Sequence, residues 1–422
     1  MTPGDRTITR AAPSLWRPIL AAAAGNVLEW YDFTVYAYMA PFIGEKFFPA
    51  QDPLTELLAV FATFGLGFVV RPLGGILIGR MGDSKGRKAA LLVTILLMAV
   101  GTVGIGLVPG RASIGAAAPW LLVLCRLLQG FSAGGEWGSS TAFIHEWAPE
   151  GRRGFFSSLQ QSSVAFGMLL GSAIAALSGT LLTKAEMGDF GWRIPFLLGA
   201  LILPVGLYMW RRVEETPVFA NEKNPPVETR AGLGMAARAS GIIVIWTVAY
   251  YAILTYMPVF TARFSRLGSA AALWSGALNL FILAAAIPLF GHLADRWGRK
   301  PLLLIGAGSF ALFSYPLFLV IVNSSGDLPV IATGIGFALM TAIYSGGAPA
   351  AVTEIFPPAS RLLWMSTGYS LTVALFGGFG PYIATWLVKT TGSPLSPAFY
   401  IVASALLSLA VILPLKETRD DG

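Results

Sequence analysis

Two stretches decide the architecture: "GRMGDSKGRK" (residues 79–88) and "GHLADRWGRK" (residues 291–300) share the pattern G-x-x-x-D-x-x-G-R-K. Asp83 and Asp295 are 212 residues apart. A second pair of signatures follows at almost the same offset. Glu146, Pro149 and Arg153 form E-x-x-P-x-x-x-R, as do Glu354, Pro357 and Arg361, displaced by 208. Two independent signatures at nearly one offset mean that a unit of about half the chain has been duplicated.

Composition says what the unit is made of. The 422 residues are 55% hydrophobic and only 12% charged, with a mean hydropathy of +0.68, whereas soluble domains carry roughly 25% charged residues. A helix needs about 20 apolar residues to cross a bilayer, so the chain has room for roughly a dozen. Apolar runs predict helices over 18–43, 54–79, 88–108, 118–145, 155–181 and 192–210, then 238–262, 270–292, 301–322, 328–356, 362–388 and 395–415. The expected fold is an all-α membrane protein with 12 transmembrane helices in two pseudo-symmetric six-helix bundles. The bundles span 1–210 and 238–422. Between them, 211–237 reads as a cytoplasmic linker, because "EETPVFANEKNPPVETR" (214–230) mixes proline and charge without apolar periodicity.

The net charge of +7 would point to nucleic acid in a soluble domain, but its distribution here points to topology. With the N-terminus inside, 20 of the 29 Lys and Arg fall in cytoplasmic segments and seven in outer loops, while Arg71 and Arg126 lie within helices. That bias follows the positive-inside rule, places both termini in the cytoplasm, and makes the lipid bilayer the expected partner rather than nucleic acid. Cys125 is the single cysteine, so no intramolecular disulfide can form. No Walker A sequence, catalytic triad or metal-spaced His/Cys set occurs. An enzyme, a metal site, a cofactor and direct ATP driving are therefore not expected.

Charge inside the helices is the functional signal. In "GNVLEWYDF" (25–33), Glu29 and Asp32 stand at i and i+3 and share one helix face. A lipid-facing carboxylate would be heavily penalised, so that face must meet protein or water. Arg126, Gln129, Ala133, Glu136 and Ser140 form a second stripe, and Gln160 lies on a polar face of the next helix. At the offset of 208, Gly334, Phe337 and Tyr344 replace Arg126, Gln129 and Glu136, so the charges belong to the first half alone. Three interior acids face two interior arginines, which leaves one carboxylate able to hold a proton near neutrality. Asp32 and Glu29, near mid-depth, lead as proton-coupling candidates, with Glu136 third. Arg71 and Arg126 suit a substrate carboxylate, since a guanidinium binds one bidentately, or they are partners of these acids. Gln129, Gln160 and Tyr36 complete the candidate substrate set. The repeated loop charges, Asp83 with Arg87, Asp295 with Arg299, Glu146 with Arg153 and Glu354 with Arg361, read as a latch between the cytoplasmic ends of the bundles.

The paired loops and Arg126-Leu127-Leu128-Gln129-Gly130 resemble signatures of the major facilitator superfamily. "GNVLEWYDF", "RPLGG" (71–75), "RLLQGFSAGGEWG" (126–138) and "GWRIPF" (191–196) resemble the bacterial metabolite:proton symporters, which include carriers of citrate, α-ketoglutarate, shikimate, proline and betaine. The resemblance implies proton-driven symport by alternating access, in the bacterial inner membrane and as a functional monomer. Through related sugar:proton symporters it also implies a pairing of Asp32 with Arg126, and a latch that stabilises the outward-open state. One departure bears on the substrate. The osmolyte carriers typically have Lys at the position of Arg126, and some carry a long charged tail, whereas this sequence ends "KETRDDG". The expected substrate is therefore a small di- or tricarboxylate such as citrate or α-ketoglutarate. The alternative is a zwitterionic osmolyte or a shikimate-like or aromatic monocarboxylate.

Overall fold

The computed structural model describes residues 16–85, 87–135, 137, 140–141, 144–145, 148–201, 204, 229–356 and 361–417. Each of the 12 expected helices has a helical counterpart. We label them α1 (Trp16–Tyr38), α2 (Pro53–Val69 and Arg71–Lys85), α3 (Arg87–Leu107), α4 (Ala117–Ser132), α5 (Arg153–Leu181) and α6 (Ile194–Leu198) in the first half. The second half holds α7 (Thr229–Val248, Ala249–Thr255 and Met257–Phe264), α8 (Ser269–Trp297), α9 (Arg299–Asn323), α10 (Asp327–Glu354), α11 (Arg361–Thr372, Val373–Gly378 and Gly380–Thr391) and α12 (Ser396–Ile412). Among the described residues seven helices are long and apolar enough to cross a membrane. Large apolar side chains such as Leu289 and Leu312 are 67% and 70% exposed, while Asp32 and Arg126 are wholly buried. Apolar outside and polar inside is the arrangement that lipid imposes.

The departures from uninterrupted helices have local causes. Asp52 caps α2 by accepting from the Leu54 N–H, with Pro53 in the first turn, where its missing donor costs nothing. Within α2, Pro72 follows the break at Val70 because proline cannot continue the backbone ladder. α1 ends at Tyr38 rather than 43, and a separate helix Ala40–Phe47 starts around Pro41. α4 tightens into a 3₁₀ turn at Ala133–Gly135. α7 begins at Thr229, inside the stretch assigned to the linker, since "AGLGMAARA" (231–239) is rich in helix-forming Ala, Leu, Met and Arg. The remainder of that stretch, 211–228, lies outside the described residues. Segments Ala249–Thr255 of α7 and Val373–Gly378 of α11 are π-helical.

The two halves meet along a seam. α5 packs along α8, α2 against α11, and α10 also touches α5. Within the first half, α2 and α4 approach backbone to backbone. A Cβ on Gly130 would lie 1.6 Å from the Gly67 carbonyl oxygen, and one on Gly74 1.8 Å from that of Phe131. Only glycine permits this approach, which brings Arg71 and Arg126 to one level. In the second GRK loop, Gly298 takes φ +99°, a conformation open to glycine, and turns α8 directly into α9.

Candidate transport site

The stripe on α1 buries Asn26, Glu29, Asp32, Phe33 and Tyr36. Glu29 meets the α2 arginine, with Arg71 Nη2 donating to Glu29 Oε1 at 2.5 Å. Asp32 is held differently. Gln129 Nε2 donates to Asp32 Oδ2 at 2.5 Å and to Thr102 Oγ1 at 3.1 Å, and Arg126 Nη1 donates to Gln129 Oε1 at 2.7 Å. Arg126 Nη1 itself stands 3.9 Å from Asp32 Oδ2. Gln129 therefore bridges an ion pair too long for a direct hydrogen bond. Asp32 Oδ1 and Arg126 Nε and Nη2 make no hydrogen bond.

Aromatic rings enclose both guanidinium groups. Arg126 lies 4.4 Å from the centroid of Tyr36, 4.9 Å from Phe64 and 5.0 Å from Phe33. Arg71 lies 4.6 Å from Phe68 and 5.0 Å from Phe33. Phe33 is thus shared by the two cations, whose charge is spread over ring faces as well as onto carboxylates.

Across the seam the wall is neutral. Trp246 Nε1 donates to Ser345 Oγ at 3.0 Å, and the Tyr250 hydroxyl lies 3.4 Å from the same oxygen. Tyr251 packs against Phe68 and Trp30, with centroids 5.1 and 5.4 Å away. Trp137 of the first half stacks on Tyr369 of α11 at 3.7 Å. Between the walls lies a small cavity lined by Trp30, Gln161, Trp246, Thr247, Tyr250, Tyr251 and Tyr369 with Ile243. A second hollow around Asn279, between α7, α8, α9 and α10, belongs to the second half alone.

Among the described residues, contacts bridge the seam at both ends. At the GRK end, Asp295 accepts from the backbone N–H groups of Gly154 and Phe155 at 2.7 and 2.9 Å, where α5 begins. Arg299 holds Asp295 and Glu354, each at 3.3 Å. At the other end Lys389 of α11 meets Asp52 at 3.2 Å and donates to Thr55, and the Tyr38 hydroxyl donates to the Leu254 carbonyl at 3.0 Å.

The first half and most of the second match families described as "Sugar (and other) transporter" (residues 19–241) and "Major Facilitator Superfamily" (residues 265–421). The chain belongs to the major facilitator superfamily. A "Putative proline/betaine transporter" of Staphylococcus aureus is 36% identical over 410 residues, covering 94% of this chain and 87% of the relative. A "Proline/betaine transporter" of Escherichia coli is 32% identical over 427 residues, covering 96% and 84%. The partially occluded inward-open xylose transporter XylE of Escherichia coli superposes with a TM-score of 0.78 at 19% identity, covering 96% of this chain and 99% of that one. The superfamily member described here is a multi-pass membrane transporter and not an enzyme.

Of the residues singled out from sequence, Glu29, Asp32, Arg71, Arg126, Gln129 and Tyr36 form one buried cluster in this transporter. None of the six lines the seam cavity. Tyr36 donates its hydroxyl to the Val60 carbonyl at 3.3 Å and serves as a ring under Arg126. Gln160 accepts from Gln161, which does line the cavity. Glu136 and Glu146 lie outside the described residues, as do the side chains of Asp83, Arg87 and Arg361. Arg153 opens α5 beside the Asp295 contact. The expected Asp295–Arg299 pair forms, and Arg299, the first residue of α9, also reaches Glu354 because α9 and α10 pack together. Two features escaped the sequence reading. Glu417 accepts from the N–H groups of Arg299 and Lys300 at 2.8 and 3.1 Å. The aromatic lining is the other; "IWTVAYYAILTY" (245–256) carries it, but in an apolar helix such residues read as ordinary core.

Proposed function

We propose that this transporter is a proton-coupled importer of a small zwitterionic osmolyte of the proline or betaine kind. It would work by alternating access in the bacterial inner membrane, with both termini in the cytoplasm. The observation that carries the reading is the charge balance of the buried cluster, where Glu29 pairs with Arg71 and Asp32 with Arg126. A di- or tricarboxylate would bring two or three negative charges into a site whose described cations already have carboxylate partners, whereas a zwitterion brings no net charge. The names of the relatives support the same choice. The departure from Lys at position 126 loses its weight against an osmolyte, because Arg126 is enclosed by Phe33, Tyr36 and Phe64. Arginine there serves the ion pair, since its flat guanidinium stacks on rings better than an ammonium does.

Asp32 is the coupling acid in this reading. Its Oδ1 makes no hydrogen bond and its cation stands 3.9 Å off, whereas Glu29 is clamped at 2.5 Å. A carboxylate with a free oxygen and a loose partner accepts a proton at least cost to its surroundings. The gate reading keeps Asp295, Arg299, Glu354 and Arg153, with Asp83, Arg87, Glu146 and Arg361 as their expected counterparts.

The test is uptake of labelled L-proline, glycine betaine and citrate by proteoliposomes with an alkaline interior. Accumulation of a zwitterion that a protonophore abolishes is the expected result. Accumulation of citrate with neither zwitterion taken up would overturn the proposal.

A further inference from the structure

We propose that the seam cavity is the substrate's ammonium subsite, an aromatic cage that takes an alkylated ammonium on ring faces while Thr247 and Tyr251 donate to its carboxylate. This rests on the osmolyte reading and sharpens it, because it predicts which feature of the osmolyte is recognised.

The cage draws on both halves and three helices. Trp30 comes from α1, Trp246, Tyr250 and Tyr251 from α7, and Tyr369 from α11, with Trp137 stacked behind Tyr369. The lining contains no charged side chain, so a cation there is met by ring quadrupoles, which is how quaternary ammonium groups are recognised in general. The rings surround the space instead of stacking across it. Trp30 is inclined 35° to Tyr251 and 64° to Tyr250, and the polar ends of Trp246 and Tyr250 are drawn away to Ser345. The hollow between the rings is small, with room for about one water, so the rings must part to admit a substrate.

The second observation concerns hydrogen bonding. Thr247 Oγ1 and the Tyr251 hydroxyl are buried on this cavity without partners. Buried polar groups rarely go unsatisfied, and leaving one so is costly. Two unpaired hydroxyls beside a ring-lined hollow fit the two ends of a zwitterion, the carboxylate on the donors and the ammonium on the rings.

The backbone is shaped around the same point. Ala249–Thr255 and Val373–Gly378 are π-helical and face each other, and such bulges occur frequently at functional sites. Gly377 supplies the clearance, since a Cβ there would lie 2.1 Å from Thr247 Oγ1 and 2.7 Å from the Tyr251 ring. Arg71, already paired with Glu29, also lies beside Tyr369 and Tyr251.

The first arm of the test uses the unaltered protein in proteoliposomes. Uptake of labelled glycine betaine is inhibited with unlabelled betaine or with 3,3-dimethylbutanoate, the same shape with carbon in place of the charged nitrogen. The cage predicts inhibition by the carbon compound weaker by about tenfold or more. Equal inhibition overturns it. The second arm compares Trp30→Leu with Trp30→Phe. The KM for betaine should rise about tenfold in the leucine variant and much less in the phenylalanine variant, with the dependence on the pH gradient kept in both. An unchanged KM in Trp30→Leu also overturns the cage. Absence of uptake of either zwitterion by the unaltered protein would instead remove the osmolyte reading and the cage with it, so the two failures are distinguishable.

Discussion

Where α4 carries Arg126 and Gln129, its duplicate α10 carries Gly334 and Phe337, and a Cβ on Gly334 would strike the neutral amide of Asn279. Further along, Tyr344 donates to the Ile242 carbonyl at 2.7 Å. The first half thus holds two buried ion pairs at the level where the second half holds rings, an amide and hydroxyls. The ion pairs Glu29–Arg71 and Asp32–Arg126 lie within one half, and the Asp295–Arg299–Glu354 group lies within the other. Among the described contacts across the seam are ring packing, hydrogen bonds to backbone, the Trp274–Thr180 side-chain hydrogen bond and the partly exposed Lys389–Asp52 pair. Separating buried charges costs several kcal/mol, whereas exposed pairs and backbone contacts part cheaply. In the proposed alternating-access cycle the halves would rock against each other with their internal ion pairs intact.

If this contrast holds, removing charge from the first wall should cost far more than removing a polar atom from the second. Arg126→Ala, which leaves Asp32 buried without its cation, should destabilise the protein by about 3–5 kcal/mol. Tyr344→Phe, which deletes one hydrogen bond, should cost about 1 kcal/mol. Unfolding of both variants in detergent checks the pair, and equal losses would break the comparison.

A smaller difference concerns backbone approach. Ala338 stands at the position equivalent to Gly130, so the second half already accepts a Cβ where the first half does not. Gly130→Ala should cost about 1–3 kcal/mol by overpacking. Gly336→Ala, whose Cβ would find nothing nearer than Leu317 at 3.8 Å, should be neutral or stabilise by up to about 1 kcal/mol. Thermal midpoints of the two variants moving in the same direction would contradict the asymmetry.

The smallest effect is expected at the exposed end of the seam. Backbone donation from Leu54 and a hydrogen bond from Thr55 hold the Asp52 carboxyl below its usual range, with Lys389 adding less. Lys389→Ala should change stability by no more than about 1 kcal/mol, and the difference should vanish at high salt. A large, salt-independent loss would show that this contact is a principal lock.

The fold was legible because lipid forces apolar runs of fixed length and the duplicated loops set the offset. The breaks at Val70 and Met39 were less so, although Pro72 and Pro41 mark them, because a proline in an apolar run does not say whether the helix bends or stops. The charged cluster was legible because an intramembrane charge has few explanations, and Asp32, Glu29, Arg71 and Arg126 do meet. What their geometry adds is the ring enclosure of Arg126, which depends on Phe33, Tyr36 and Phe64 from two other helices. The cavity was hidden for the opposite reason. Trp246, Tyr250 and Tyr251 look like packing until Trp30 and Tyr369 close the ring around an open space.

The central claim is that the first half carries the coupling chemistry on Asp32 while the second half shapes the substrate site. Asp32→Asn tests it in proteoliposomes by two assays on one preparation, exchange of labelled for unlabelled substrate and accumulation driven by a pH gradient. The account predicts exchange near the unaltered rate, because a rocking site needs no proton change, with gradient-driven accumulation lost. Accumulation at the unaltered level in Asp32→Asn would contradict it.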